Sequence, residues 1–165
     1  MPQSDPLQIQ LLHDRWATDQ LLTACENLSP DQFHRRFDIG PGSLHNTLTH
    51  MIAAMRAWTE SLAGQEPTPR IDADSQQRTL ADLLPLHDQA CQSFASESLR
   101  RPLSEIITRR LRNRNTIQLT RGAALMQVTT HGMHHRAQCL NMLRQLGVNP
   151  LPPSSVAEWT ILGDK

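Results

Sequence analysis

The chain has 165 residues and a formal net charge of zero, with Lys+Arg 16 against Asp+Glu 16. That length suits one domain over residues 1–165, large enough to bury a core without covalent staples. With 38% hydrophobic and 19% charged residues it is a poor candidate for disorder, and neutrality with only 4% aromatic residues argues against a general nucleic-acid binder.

Helical signals dominate from the start. Asp5-Pro6 reads as N-cap and first helical position, with Gln8 completing a capping-box pattern, and predicts a helix running through Leu28. Its apolar residues fall on two sides: Leu7, Leu11, Leu21, Leu22 and Cys25 on one, Ile9, Leu12 and Trp16 on the other. A helix with two apolar faces in a small bundle predicts a partner beyond its own core, here a second copy. Ser29-Pro30-Asp31-Gln32 starts a short second segment, halted by Gly40-Pro41-Gly42. Ser43 caps the next long helix and Gly64 ends it. Residues 65–74 form a loop by their prolines and lack of period.

A further helix is expected from about Thr79 to Leu99, with Pro85 imposing a kink or a later start. Residues 100–120 read as an extended or hairpin-like connection turning at Asn113-Arg114-Asn115. The last long helix runs from Thr120 to Leu146, is closed by Gly147, and is followed by a Pro-rich coil tail. Four long helices with one irregular connection predict an all-α four-helix bundle. Cys25, Cys91 and Cys139 are odd in number and form no CxxC pair, so neither a disulfide framework nor a thiolate zinc site is indicated. A charged leader with an apolar h-region and a membrane-length run are both lacking, so the expected compartment is the cytoplasm.

Eight histidines stand out in a chain without Tyr. On the last helix, counting 100° per residue from His131, the apolar stripe of Ala124, Val128, Cys139, Met142 and Leu146 is centred about 60° round. His131 and His135 both lie inside that stripe, while His134 turns to the polar flank with Gln127 and Asn141. An i, i+4 pair on a buried face can present two ring nitrogens to one ion, or be two hydrogen-bonded core groups. His50 lies off the apolar stripe of its own helix, in a small-residue seam of Ser43, Ala54, Ala57 and Ser61 with room for a cavity; periodicity alone reads it as a surface histidine. His45 looks exposed, and His13, His34 and His87 read as surface or packing residues.

The stretch HDRWATDQLLTACENLSPDQF…GSLHNTLTHMIAAMRAWTESL and the stretch THGMHHRAQCLNMLRQLGVNP resemble the opening and closing parts of the DinB/YfiT-like family. The family's closing pattern is a His, three residues, then His-Arg-Gly-Gln, with Ala137 here replacing the Gly; its earlier Leu-x-His is matched by Leu48-Thr49-His50. The resemblance implies a four-helix bundle holding a divalent metal on His50, His131 and His135, and homodimers. Zn²⁺ and Ni²⁺ both suit nitrogen ligands.

Three neutral imidazoles leave coordination positions open, as in a catalytic site. Some members of the family are thiol-dependent S-transferases or isomerases, so the resemblance implies a metal-dependent enzyme taking a low-molecular-weight thiol cofactor and a small-molecule substrate. A hydrolase using metal-bound water and a non-enzymatic, metal-stabilised stress-response protein are the alternatives. Seven arginines between 100 and 121 raise nucleic-acid binding; without interleaved aromatics they read better as a solvated connection, the lesser alternative being that one or two line the metal site and hold an anionic substrate. Gln138, near His131 on the helix wheel, and Asn46, one turn before His50, are candidate supports for the ligands, and Arg136 is assigned no site role.

Overall fold

The computed structural model describes residues 4–111 and 115–163. Four long helices carry the fold: α1 (Pro6–Cys25), α3 (Leu44–Ala63), α4 (Leu80–Leu99) and α5 (Arg121–Gln145). Two short helices, α2 (Pro30–His34) and α6 (Val156–Leu162), and a hairpin of β1 (Ile106–Arg110) and β2 (Thr116–Thr120) accompany them. α3 packs against α4 and α5, and α1 packs against the same two. The expected helical bundle is therefore present, and its core is built by Leu21 and Leu22 of α1, Leu44 and Leu48 of α3, Leu83 and Phe94 of α4, and Met142 and Leu143 of α5. Each such side chain contributes roughly 1.5–3 kcal/mol of transfer free energy.

Local chemistry sets the helix ends. The Asp5 carboxylate accepts the Leu7 N–H ahead of Pro6, Ser29 and Gln32 cap α2 reciprocally, and Ser43 Oγ accepts the Asn46 N–H at 3.0 Å. Gly64 at φ 68 closes α3 in the left-handed conformation. α1 stops at Cys25, short of Leu28, because the Glu26 and Leu28 N–H groups bond carbonyls three residues back and tighten the chain into turns. Pro85 does not delay α4, which begins at Leu80 under a capping box of Thr79 and Asp82.

The irregular connection is an antiparallel hairpin, registered from Ile106↔Thr120 to Arg110↔Thr116. Arg112, Asn113 and Arg114 lie outside the described residues, and the expected Asn113-Arg114-Asn115 turn with them. Ile107 and Arg109 share one face of β1. Ile107 is buried in the core, and the Arg109 guanidinium lies 3.8 Å over the Trp58 ring and donates to Ala57 O at 2.7 Å, which docks the hairpin on α3.

Two buried arginines tie elements together. Arg121, 1% exposed, donates to Glu105 Oε2, Glu97 O and Leu62 O. Arg136 pairs with Asp14 across α1 and α5, both in the interior. Gly132 makes room for that pair, since a Cβ there would stand 2.7 Å from Asp14 Oδ1.

The tail differs from the expected coil. Ser155 and Glu158 form a capping box that starts α6. This helix lies against α1, with the His13 ring centroid 6.1 Å from Trp16 and 6.4 Å from Trp159. Part of the second apolar face of α1 is thus covered by the chain's own tail.

Candidate metal centre

Because α3 and α5 are neighbours, His50, at the edge of its helix's apolar stripe, meets the inward pair His131 and His135. His50 Nε2 lies 3.3 Å from His131 Nε2, and His135 Nε2 lies 3.1 Å from the same atom. Potential ligand atoms of all three fall within 4.8 Å of one another, so the three side chains could hold a metal ion. Two nitrogens bound at 2.0–2.1 Å to one tetrahedral ion stand roughly 3.3–3.4 Å apart, close to these separations. Burial and the neighbouring imidazoles of His135 and His50 push His131 down to about 4, and burial also lowers His135, so both rings are neutral with lone pairs available.

Hydrogen bonds on the far side of two rings fix their tautomers. Asp72 Oδ2 is 2.8 Å from His50 Nδ1, and Arg70 grips the same carboxylate through Nε and Nη2. Burial alone would raise the Asp72 carboxyl, but the hydrogen bonds from Arg70 and His50 outweigh it and bring it down to about 2. An ionised carboxylate only accepts, so His50 Nδ1 carries the proton, which leaves Nε2 as the ring nitrogen that can offer a lone pair. Gln138 Oε1, at 2.7 Å, likewise takes the His135 Nδ1 proton, while Gln138 Nε2 donates to His134 Nε2. His135 Nε2 is then also a lone pair. Both point at His131 Nε2, which can donate to one of them at most. Electron pairs facing one another at 3.1–3.3 Å repel, and a shared cation turns that repulsion into coordination. The donor set fits a divalent metal.

The Gly40-Pro41-Gly42 segment, read from sequence only as a helix stop, contributes to this support. Gly40 has φ +49, a conformation that favours glycine, and a Cβ there would fall 2.1 Å from Gln138 Oε1 and displace the amide that orients His135. A pocket of about 330 Å³ opens beside His50 and is lined also by Asp72 and Asn46. A larger cavity of about 460 Å³ lies by Gly64, Arg101 and Glu105, and none of the three histidines lines it.

The sequence model of the DinB family matches residues 1–160. The chain belongs to the DinB family. No curated protein matches it.

In this DinB protein the structure brings together the three histidines singled out from sequence and keeps His134 exposed on the flank. Several readings of individual residues change. His45 is buried, not exposed: its Nε2 accepts the Arg78 N–H at 3.0 Å from the loop that precedes α4. Asn46 supports His45 Nδ1 rather than His50, and Gln138 supports His135 rather than His131. His87 is a packing residue beside Asp19. Asp72 and Arg70 were missed, because an aperiodic loop carries no register that could aim them at α3. Of the arginines between 100 and 121, Arg121 is interior, Arg109 is spent on Trp58 and α3, and Arg100 and Arg101 pair with Glu97 and Glu105.

Proposed function

We propose that this DinB protein is a cytoplasmic metal-dependent enzyme of the thiol S-transferase or isomerase kind, with His50, His131 and His135 as ligands to Zn²⁺ or Ni²⁺. The carrying observation is the convergence of three Nε2 atoms, two of them with their tautomers set by Asp72 and Gln138. A divalent ion on three imidazoles supplies a Lewis acid with open positions and lowers the pKa of a thiol that reaches it. His50, His131 and His135 bind as neutral donors; Asp72, Arg70, Gln138 and Gly40 hold the rings in aim.

The chain's own cysteines do not provide the sulfur. Burial pushes Cys25 and Cys91 up to about 12 and raises Cys139 as well, so a small thiol from outside is required. In the transfer, the thiol sulfur bonds to an electrophilic carbon, the leaving group departs with its electron pair, and the thiol proton goes to solvent. Asp72 favours transfer over hydrolysis: fixed by two donors and brought down to about 2, it is a poor base for water.

The test is conjugation of a small thiol to 1-chloro-2,4-dinitrobenzene by zinc- and nickel-loaded protein, read as conjugate absorbance. Turnover that disappears in the His131→Ala, His135→Ala variant supports the proposal. If wild type and variant neither bind nor transfer thiols differently, the proposal fails.

A homodimer is the assembly we propose with it. Met133 is 60% exposed and shares an apolar pocket with Ile9 and Val156, while Ile161 on the adjoining α6 is 72% exposed. A second copy would cover that surface.

A further inference from the structure

A pocket of about 310 Å³ lies between α1, α5 and the start of α6, and none of the three histidines lines it. Its sides are apolar, built by Pro6, Ile9, Met133 and Val156, and its lining includes the Asp14–Arg136 ion pair. That pair is only partly used. Among the described residues, the Arg136 guanidinium bonds through Nη1 alone, to Asp14 O, Asp14 Oδ1 and Thr18 Oγ1. Its Nε and Nη2, and Asp14 Oδ2, have no partner there, yet they are not sealed in: the sealed, unpartnered polar atoms are Thr49 Oγ1 and Ser98 Oγ. With 4% of Arg136 and 5% of Asp14 exposed, the pocket they line is the face through which these atoms are reached. Gln10, also in the lining, spends Nε2 on Thr129 Oγ1 at 2.7 Å and keeps Oε1 unpartnered among the described residues.

We infer that this pocket binds a small apolar molecule through a neutral primary carboxamide. The ion pair presents unused donors on Arg136 beside an unused acceptor on Asp14. A carboxamide carries the complement of both: its oxygen accepts from Arg136, one N–H donates to Asp14 Oδ2, and the other is free for Gln10 Oε1. A carboxylate head would meet the charge of Asp14, and an ammonium head that of Arg136. Apolar walls with a few convergent polar groups are the make-up of small-molecule sites, and this volume is at the small end of their range. A buried ion pair is often replaceable by apolar residues without loss of stability. Recognition accounts for keeping one half-bonded at the base of an apolar pocket. The site stands apart from the metal centre and from thiol transfer.

Protein-observed NMR tests this with three molecules that share a phenyl ring and differ in the head: benzamide, benzoate and benzylamine. In zinc-loaded and metal-stripped protein alike, benzamide is expected to shift the Met133 and Val156 methyl signals and the Gln10 side-chain amide. It should bind at least tenfold more tightly than either charged analogue. Asp14→Asn removes the charge that opposes benzoate and should close that gap. Ile9→Trp fills the pocket from its rim and should abolish the shifts with the helical circular-dichroism spectrum unchanged; it decides the matter if Asp14→Asn does not fold. No shift from benzamide, equal binding of all three heads, or shifts that survive in Ile9→Trp each overturn the inference. So does benzamide that binds only while converting dimers to monomers in sedimentation, since the occupant is then a side chain of the second copy.

Discussion

Asp72 accepts a hydrogen bond from His50 Nδ1 at 2.8 Å, from a loop twenty-two residues further along the chain. That single contact fixes which ring nitrogen faces His131 and couples the aim of one donor to the path of the 65–79 loop. Replacing the carboxylate is expected to weaken metal binding without unfolding the bundle. In a chelator competition, Asp72→Ala should lose about 10–100-fold in affinity for Zn²⁺, with an unchanged helical circular-dichroism spectrum. Wild-type affinity in Asp72→Ala would show that the contact does not orient a ligand.

Metal content tests the donor set more directly. Wild-type protein purified without chelator should carry close to one divalent ion per chain, and the His131→Ala, His135→Ala variant should carry almost none. Elemental analysis reads both. Equal metal in the two would place the ion elsewhere.

The metal-free protein should lose stability as acid is added. His131 is ordinarily protonated near 6.5 in an unfolded chain but only near 4 when folded, so between those values the unfolded state binds more protons. Stability is therefore full above pH 6.5 and falls as the pH drops toward 4. Asp72 acts in the same direction at lower pH, between 3.8 and about 2. Urea midpoints of metal-stripped protein from pH 7 to 4 measure the effect, and His131→Gln should flatten the upper part of the curve.

The buried Asp14–Arg136 pair predicts a large penalty for breaking one side. Desolvation raises the Asp14 carboxyl, and the charge and hydrogen bond of Arg136 oppose that rise. Arg136→Ala leaves that carboxylate alone in the interior and should cost about 3–5 kcal/mol. Gly132→Ala pushes a methyl into the same pair and should cost roughly 1–3 kcal/mol. Denaturant unfolding reads both; a Gly132→Ala protein as stable as wild type would mean that the pair shifts freely.

Sedimentation tests the proposed dimer. Wild type should run as a dimer at micromolar concentration, and Met133→Glu as a monomer with its metal retained. A monomeric wild type removes the dimer but leaves the metal centre untouched.

The four long helices, their caps and the inward pair on α5 were legible in the residues alone. Those depend on interactions within a few residues: Ser43 capping its helix, Gly64 and Gly147 at positive φ, and apolar residues recurring at the helical period. The choice of His135 over His134 was legible for the same reason, because four residues bring two rings to one face. His50 was legible only through the likeness of two motifs to a known family, since its own register lies off the apolar stripe. The short α6 was legible in Ser155-Val156-Ala157-Glu158, but the surrounding prolines masked it. Contacts that cross elements without a period were not legible in the residues alone. Asp72 against His50, Gly40 over Gln138, Arg78 on His45 and Asp14 with Arg136 are set by how loops and helices pack. Periodicity assigns a face to a helical residue; it assigns none to a loop residue, whose partner is chosen by the closed volume around it.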